Sequence, residues 1–252
     1  MIRTLPKNFR WVFFGDSITD ANRLISLNPQ KAMGHGYALI ASDLVNNLAP
    51  EISCQPINRG ISGNRLHDLI VRLDKDVIDE QPDLVSILVG INDVLRAFDR
   101  DEPSPLEQFG HAYRAMITEI QGRTGAKIIL MEPYLLLVHP EKQSVMADEL
   151  KAKQDLIAEI AQEFNLPFIR LQERFNTLCK YRQENFWSAD GIHPTHSGHM
   201  TIALELIKIL MVKQFQIDED SMNAQATDNK TQQAESSPQG KATGKKKKKR
   251  ES

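Results

Sequence analysis

The sequence predicts an α/β protein built on a five-stranded parallel sheet, and three observations lead there. Short apolar runs rich in β-forming residues recur along the chain, and longer segments of helical period separate them. One run, LVSILV at Leu84–Val89, is apolar almost without alternation. Strands that alternate with helices are the pattern of βαβ units, whose crossovers make the sheet parallel. A strand without polar alternation is expected where helices cover both faces of a sheet, so Leu84–Val89 is its expected centre.

In chain order, strands are expected at Trp11–Phe14, Ile52–Ile57, Leu84–Val89, Lys127–Met131 and Pro167–Leu171. Their aromatic and β-branched content suits a pleated, half-buried surface. Helices are expected at Met33–Asn47, Arg65–Ile78, Leu106–Arg123, Glu141–Phe164 and Thr195–Phe215, several of them bounded by Gly or Pro. No internal repeat is present.

With 252 residues and 41% apolar content, the chain can bury one substantial core, and one domain over residues 1–217 is expected. From 218 to 252 the composition turns to Gln, Asn, Ser, Thr, Ala, Gly and Lys, with no aromatic residue. Such a segment buries too little apolar surface to offset the entropy of ordering, so disorder is expected there. It ends in a Lys/Arg run, Lys245–Arg250. The functional reading of that run is electrostatic contact with RNA, anionic lipid or an acidic partner, and the plain reading is a solvated tail.

A net charge of -2 gives no overall basic field that would favour nucleic acid or a membrane surface. The two cysteines, Cys54 and Cys179, match neither a disulfide framework nor a paired metal site. The first residues lack the apolar core of a signal peptide, and no stretch approaches the roughly 20 apolar residues of a membrane span. A cytoplasmic protein is the resulting expectation, and a homo-oligomer is left open.

Four motifs carry chemistry. FGDSITD, Phe14–Asp20, follows the first strand, where open α/β sheets bind ligands. Ser17 there is either a nucleophile or one of several good helix caps. SADGIHPTHSGH, Ser188–His199, precedes the last helix and puts Asp190 three residues before His193 on one turn. A carboxylate that fixes one imidazole nitrogen leaves the other free to take a proton from a serine, which needs such a base. His193, His196 and His199 also raise a metal reading. Spacing of three and three does not keep three ligands on one helical face, and His196 and His199 read more simply as residues of the final helix. NRGISGNR, Asn58–Arg65, and VGINDV, Val89–Val94, follow the second and third strands on the same sheet edge as Ser17. A Gly amide and an Asn side chain can serve as oxyanion donors, although Gly-Asn clusters mark loops generally.

In this order and spacing the four motifs resemble those of the SGNH (GDSL-type) hydrolase superfamily, over residues 11 to 212. The resemblance implies a three-layer flavodoxin-like fold, a shallow exposed site, and no metal or organic cofactor. It implies Ser17 as nucleophile, His193 as general base and then acid, and Asp190 as the orienting carboxylate. The Ser17 amide, the Gly60 amide and the Asn92 side chain would form the oxyanion hole. Within the superfamily, GDSITDA, NRGISGNR, VSILVGINDV and HPTHSGH are similar to intracellular bacterial acetyl xylan esterases, which implies a small-molecule or oligosaccharide ester as substrate. Trp187 and Tyr134, and more loosely Tyr37, are candidates for a wall against a sugar ring; Trp187 equally suits the base of the catalytic loop. The segment Met131–Pro140 departs from that group and borders the expected site. A lysophospholipase or thioesterase on the same triad is the rival enzyme. A binding protein recruited through its basic tail, with the hydrolase fold as scaffold, is the rival of another class.

Overall fold

The computed structural model describes residues 5–24 and 28–214. The chain groups into two units, Met1–Met211 and Val212–Ser252, and the architecture below is that of the first. The expected tail and its Lys245–Arg250 run lie outside the described residues.

Five strands are present: β1 (Asn8–Gly15), β2 (Ser53–Gly60), β3 (Leu84–Leu88), β4 (Lys127–Met131) and β5 (Phe168–Ile169). Every pairing is parallel and the order is β2-β1-β3-β4-β5, with β3 at the centre as its apolar run predicts. Alternation along each strand divides the core in two. Phe9, Trp11 and Phe13 of β1, Leu84 and Leu88 of β3, and Ile129 and Met131 of β4 face one layer. Val12 and Phe14, Val85 and Ile87, and Ile128 and Leu130 face the other. The polar Ser86 lies fully buried on the first face, where its hydroxyl accepts the Trp11 indole N–H at 3.1 Å.

The helices are α1 (Ser17–Asp20), α2 (Pro29–Met33), α3 (Tyr37–Leu48), α4 (Leu66–Val71), α5 (Ile91–Asp99), α6 (Leu106–Thr124), α7 (Pro140–Glu163), α8 (Leu171–Cys179), α9 (Glu184–Trp187) and α10 (His196–Gln214), with a π-helical turn at Asp74–Ile78. The first core takes α3, α8 and α10 through Tyr37, Phe175 and Leu206. The second takes α4, α6 and the later turns of α7 through Leu69, Ile117 and Ile157. Two expected helices are broken: Met33–Asn47 becomes α2 and α3 around Gly34 and Gly36, and Arg65–Ile78 passes from α4 into the π-helical turn. No described helix is long and apolar enough to cross a membrane.

From β1 the chain moves outward to β2, then returns past β1 to β3. That reversal opens a crevice at the carboxyl ends of β1 and β3, the place where ligands bind in such sheets. The motifs around Ser17, Asn58–Arg65 and Asn92 all lie at this edge.

Candidate active site

Asp16, between β1 and α1, caps the helix: its Oδ1 accepts the Ile18 amide at 3.0 Å. A helix leaves its first N–H groups unpaired. The cap satisfies Ile18, whereas the Ser17 amide has no acceptor among the described residues. Asp16 is fully buried, and burial pushes its carboxyl up to about 7 against the pull of the Ile18 amide. Asn58 ties the next strand end to this turn, donating to Thr19 O at 2.7 Å and Met33 O at 2.9 Å.

Ser17 Oγ lies 2.9 Å from His193 Nε2, although 176 positions separate them in the chain. On the other side of the ring, Nδ1–H donates to Asp190 Oδ2 at 2.6 Å. Burial alone would raise the Asp190 carboxyl. The His193 ring and the backbone amides of His193 and Ile192, at 2.7 and 2.9 Å from Oδ1, hold it below the usual carboxylate range. An ionised Asp190 fixes the proton on Nδ1 and aims the Nε2 lone pair at the serine hydroxyl. The side chains of His193 and Asp190 are 51% and 49% exposed, so this side of the site is open to solvent.

The loop that carries them is a small closed frame. Ser188 and Pro194 form an antiparallel bridge, and Ser188 Oγ donates to His193 O at 2.9 Å. Its outer supports come from the segment after β4 and from α7. Tyr134 donates its hydroxyl to Ile192 O at 3.0 Å, Leu136 donates its amide to Gly191 O at 2.8 Å, and Gln143 donates its carboxamide to Asp190 O at 2.6 Å. Gly191 has φ +92°, and a Cβ there would lie 2.2 Å from Leu136 O, so only glycine fits against this brace.

The candidate substrate-wall residues fare differently. Tyr134 and Tyr37 are fully buried, with hydroxyls on Ile192 O and Thr19 Oγ1, so neither presents a face to a sugar. Trp187 packs against the first core, and its backbone O accepts the Thr195 amide at 2.9 Å. It is partly buried at the base of the loop that carries His193, a position compatible with both sequence readings. The supports Leu136 and Gln143 carry no chemical signature in the sequence.

Two oxyanion candidates also part company. Asn92 is buried in the first turn of α5, where it donates to Asn64 O at 3.0 Å and keeps a second N–H. The Gly60 amide instead donates to Asn58 Oδ1 at 2.8 Å and is not free to meet an oxyanion. Gly60 is required for packing: a Cβ there would lie 2.1 Å from Asp20 N. Three residues on, Gly63 has φ +81°, an amide with no acceptor among the described residues, and room for a Cβ at 3.8 Å from Arg96 Nη2. His199 lies apart from the reacting groups: its Nδ1 accepts the Tyr37 amide at 3.2 Å, and burial holds the imidazole down at about 4.

A serine hydroxyl aligned with an imidazole and a carboxylate, beside unpaired amides, suits acyl transfer. Comparisons with known proteins agree with that chemistry. Residues 13–200 match the model of the GDSL-like Lipase/Acylhydrolase family. An acetylxylan esterase of Geobacillus stearothermophilus is 32% identical over 203 residues, which are 78% of this chain and 91% of that protein. The crystal structure of an acetylxylan esterase from that organism, 31% identical, superposes with a TM-score of 0.72 over 80% of this chain and 94% of its own. A GDSL-like lipase structure from Parabacteroides merdae, 27% identical, gives a TM-score of 0.77 over 84% of this chain and 100% of its own. Further structures of the Geobacillus enzyme are described as catalytic mutants in which a serine, an aspartate or a histidine is replaced by alanine.

Proposed function

The chain belongs to the GDSL-like lipase/acylhydrolase family and is a carboxylic ester hydrolase; on that premise we propose that it deacetylates a carbohydrate with Ser17, His193 and Asp190 as a catalytic triad. The observation that carries the reading is the continuous hydrogen-bond chain from Ser17 Oγ through His193 to Asp190.

Ser17 Oγ attacks the ester carbonyl carbon while its proton passes to His193 Nε2, and Asp190 stabilises the imidazolium that results. The tetrahedral intermediate then collapses: the bond to the sugar oxygen breaks, His193 returns the proton to that oxygen, and the acetyl group stays on Ser17. Water repeats the sequence on the acyl-enzyme, releasing acetate and restoring the serine. The oxyanion is met by the Ser17 amide and the second N–H of Asn92. The third donor is the Gly63 amide in place of Gly60, since Asn92 already borders that loop through Asn64 O.

A small acyl pocket is favoured by where the apolar residues after β4 go. Tyr134, Leu135 and Leu136 are buried in the core and under the catalytic loop, leaving Leu137 as the exposed apolar side chain of that run. A lipid groove would need those side chains in the site. The catalytic mutants of the Geobacillus enzyme support the same three residue types in the same roles.

Aryl esters of C2, C4 and C8 acids test the acyl preference, and acetylated sugars test the alcohol. A methylene that fits an apolar pocket gains up to about 0.8 kcal/mol, whereas one that does not fit meets a steric cost. We expect kcat/KM to fall with chain length and acetate to be released from acetylated xylo-oligosaccharides. A monotonic rise through C8 would replace this reading with a lipid or thioester substrate.

A further inference from the structure

We propose that Asp16 is a positioning residue that works as a neutral carboxylic acid: it caps α1 so that the Ser17 amide is left to the developing oxyanion, with no buried negative charge beside it. The proposal rests on the reading of Ser17 as nucleophile.

The surroundings favour an acid over an anion. Asp16 is fully buried, its Oδ1 receives one amide, and its Oδ2 is buried with no partner among the described residues. A buried carboxylate short of donors costs far more than a neutral carboxylic acid in the same place. Four ionisable groups face it. His193 comes from the catalytic loop, Asp93 from α5, Tyr37 from α3 and Tyr134 from the segment after β4. Asp93 is a second buried carboxyl that opposes a charge on Asp16, and the two tyrosine hydroxyls are engaged elsewhere. Of these four groups, His193 is the one that can carry a compensating positive charge, as it does when it takes the serine's proton.

Two consequences follow for turnover. An ionised Asp16 would lie in a dry site beside the oxyanion and repel it. It would also hold on the imidazole the proton that the leaving alcohol needs. Burial places this ionisation at about 7, so the active, protonated form is lost as pH rises through that value.

Asp16→Asn preserves the capping oxygen and puts N–H groups where the acid carries its proton. Asp16→Ala should lower kcat roughly tenfold or more with little change in KM, and Asp16→Asn should rescue kcat to within about threefold of wild type at about pH 6. Above pH 7 the wild-type rate should fall while that of Asp16→Asn does not, widening their ratio about tenfold by pH 9. A folded Asp16→Asn protein as slow as Asp16→Ala would overturn the proposal, as would one that keeps the wild-type alkaline fall. The proton can also be seen without turnover. In full-length Ser17→Ala protein carrying 13C-carboxyl aspartate, the infrared carbonyl band of a protonated acid should be present at about pH 6, titrate near 7 and survive Asp93→Asn. Finding only carboxylate bands refutes the neutral cap whatever the enzyme hydrolyses. Ser17→Ala protein that still turned over would instead refute the nucleophile and leave the proton measurement standing.

Discussion

The two sides of the site are held in opposite ways. Ser17 stands on a strand end whose surroundings are packed solid: Asp16 beneath it is fully buried, and Gly15 and Gly60 face each other across β1 and β2. His193 and Asp190 stand half exposed on a loop hung from Tyr134, Leu136 and Gln143. Packing fixes Ser17, and hydrogen bonds fix His193. Overpacking on the first side should therefore register in stability, and loss of a support on the second in rate as well.

The largest effect removes the chemistry and leaves both supports intact. Ser17→Ala and His193→Ala should each lower kcat by about 10³-fold or more, and the double variant should lose little beyond either alone, because triad members act as a unit. Circular dichroism should be unchanged. A folded Ser17→Ala protein with wild-type turnover breaks the assignment.

On the packed side, Gly60→Ala drives a Cβ to 2.1 Å from Asp20 N and 2.6 Å from Thr19 C. Backbone cannot yield cheaply there, so a loss of roughly 3 kcal/mol or more is expected. Gly63→Ala makes only an ordinary contact, 3.8 Å to Arg96 Nη2, and incurs the left-handed backbone, about 1–2 kcal/mol. Urea midpoints measure both, and equal losses would erase the contrast between these two glycines.

On the hung side, Gln143→Ala removes the carboxamide that joins His139 N to Asp190 O. We expect kcat to fall about three- to tenfold with KM unmoved, and stability to fall by about 1–2 kcal/mol. A change confined to KM would mean that Gln143 touches substrate rather than the loop.

The smallest effect separates two histidines of one sequence run. His193 is half exposed and hydrogen-bonded to Ser17, whereas His199 is held neutral, its Nδ1 accepting the Tyr37 amide and its pKa lowered from 6.5 to about 4 by burial. The unfolded chain takes up that proton first. The stability His199 contributes is therefore complete above pH 6.5 and is lost as pH falls toward 4. His199→Asn keeps an acceptor without a titration, so the stability difference between about pH 7 and pH 4.5 should shrink by about 1–2 kcal/mol. An unchanged difference places the acid sensitivity elsewhere.

Much of this was legible in the sequence. The strands were, because a central parallel strand is written as an unbroken apolar run, and the edge of β5 was blurred by only a few residues. α5 and α8 were not expected: INDVLRAFD and LQERFNTLC are amphipathic, but at 9 residues each they are too short for a helical period to stand out. That Ser17, His193 and Asp190 come together was legible because each motif ends a strand or precedes a helix. Their supports were not. Nothing in MEPYLLLVHP says that Tyr134 turns inward to hold Ile192, because the direction of an irregular segment is set by what packs on it. Two glycines in NRGISGNR offer two amides, and only the Asn58 side chain, folded back on its own strand, decides that Gly60 is occupied.

The span between Ser17 and His193 has a bearing on synthesis. A ribosome adds on the order of 5–20 residues each second, so Ser17 emerges many seconds before His193, and the 176-position separation spans four of the five strands. On the proposed triad, a growing chain holds an ordinary, unreactive hydroxyl throughout that interval, and a product of early termination that stops short of residue 193 should be hydrolytically inert.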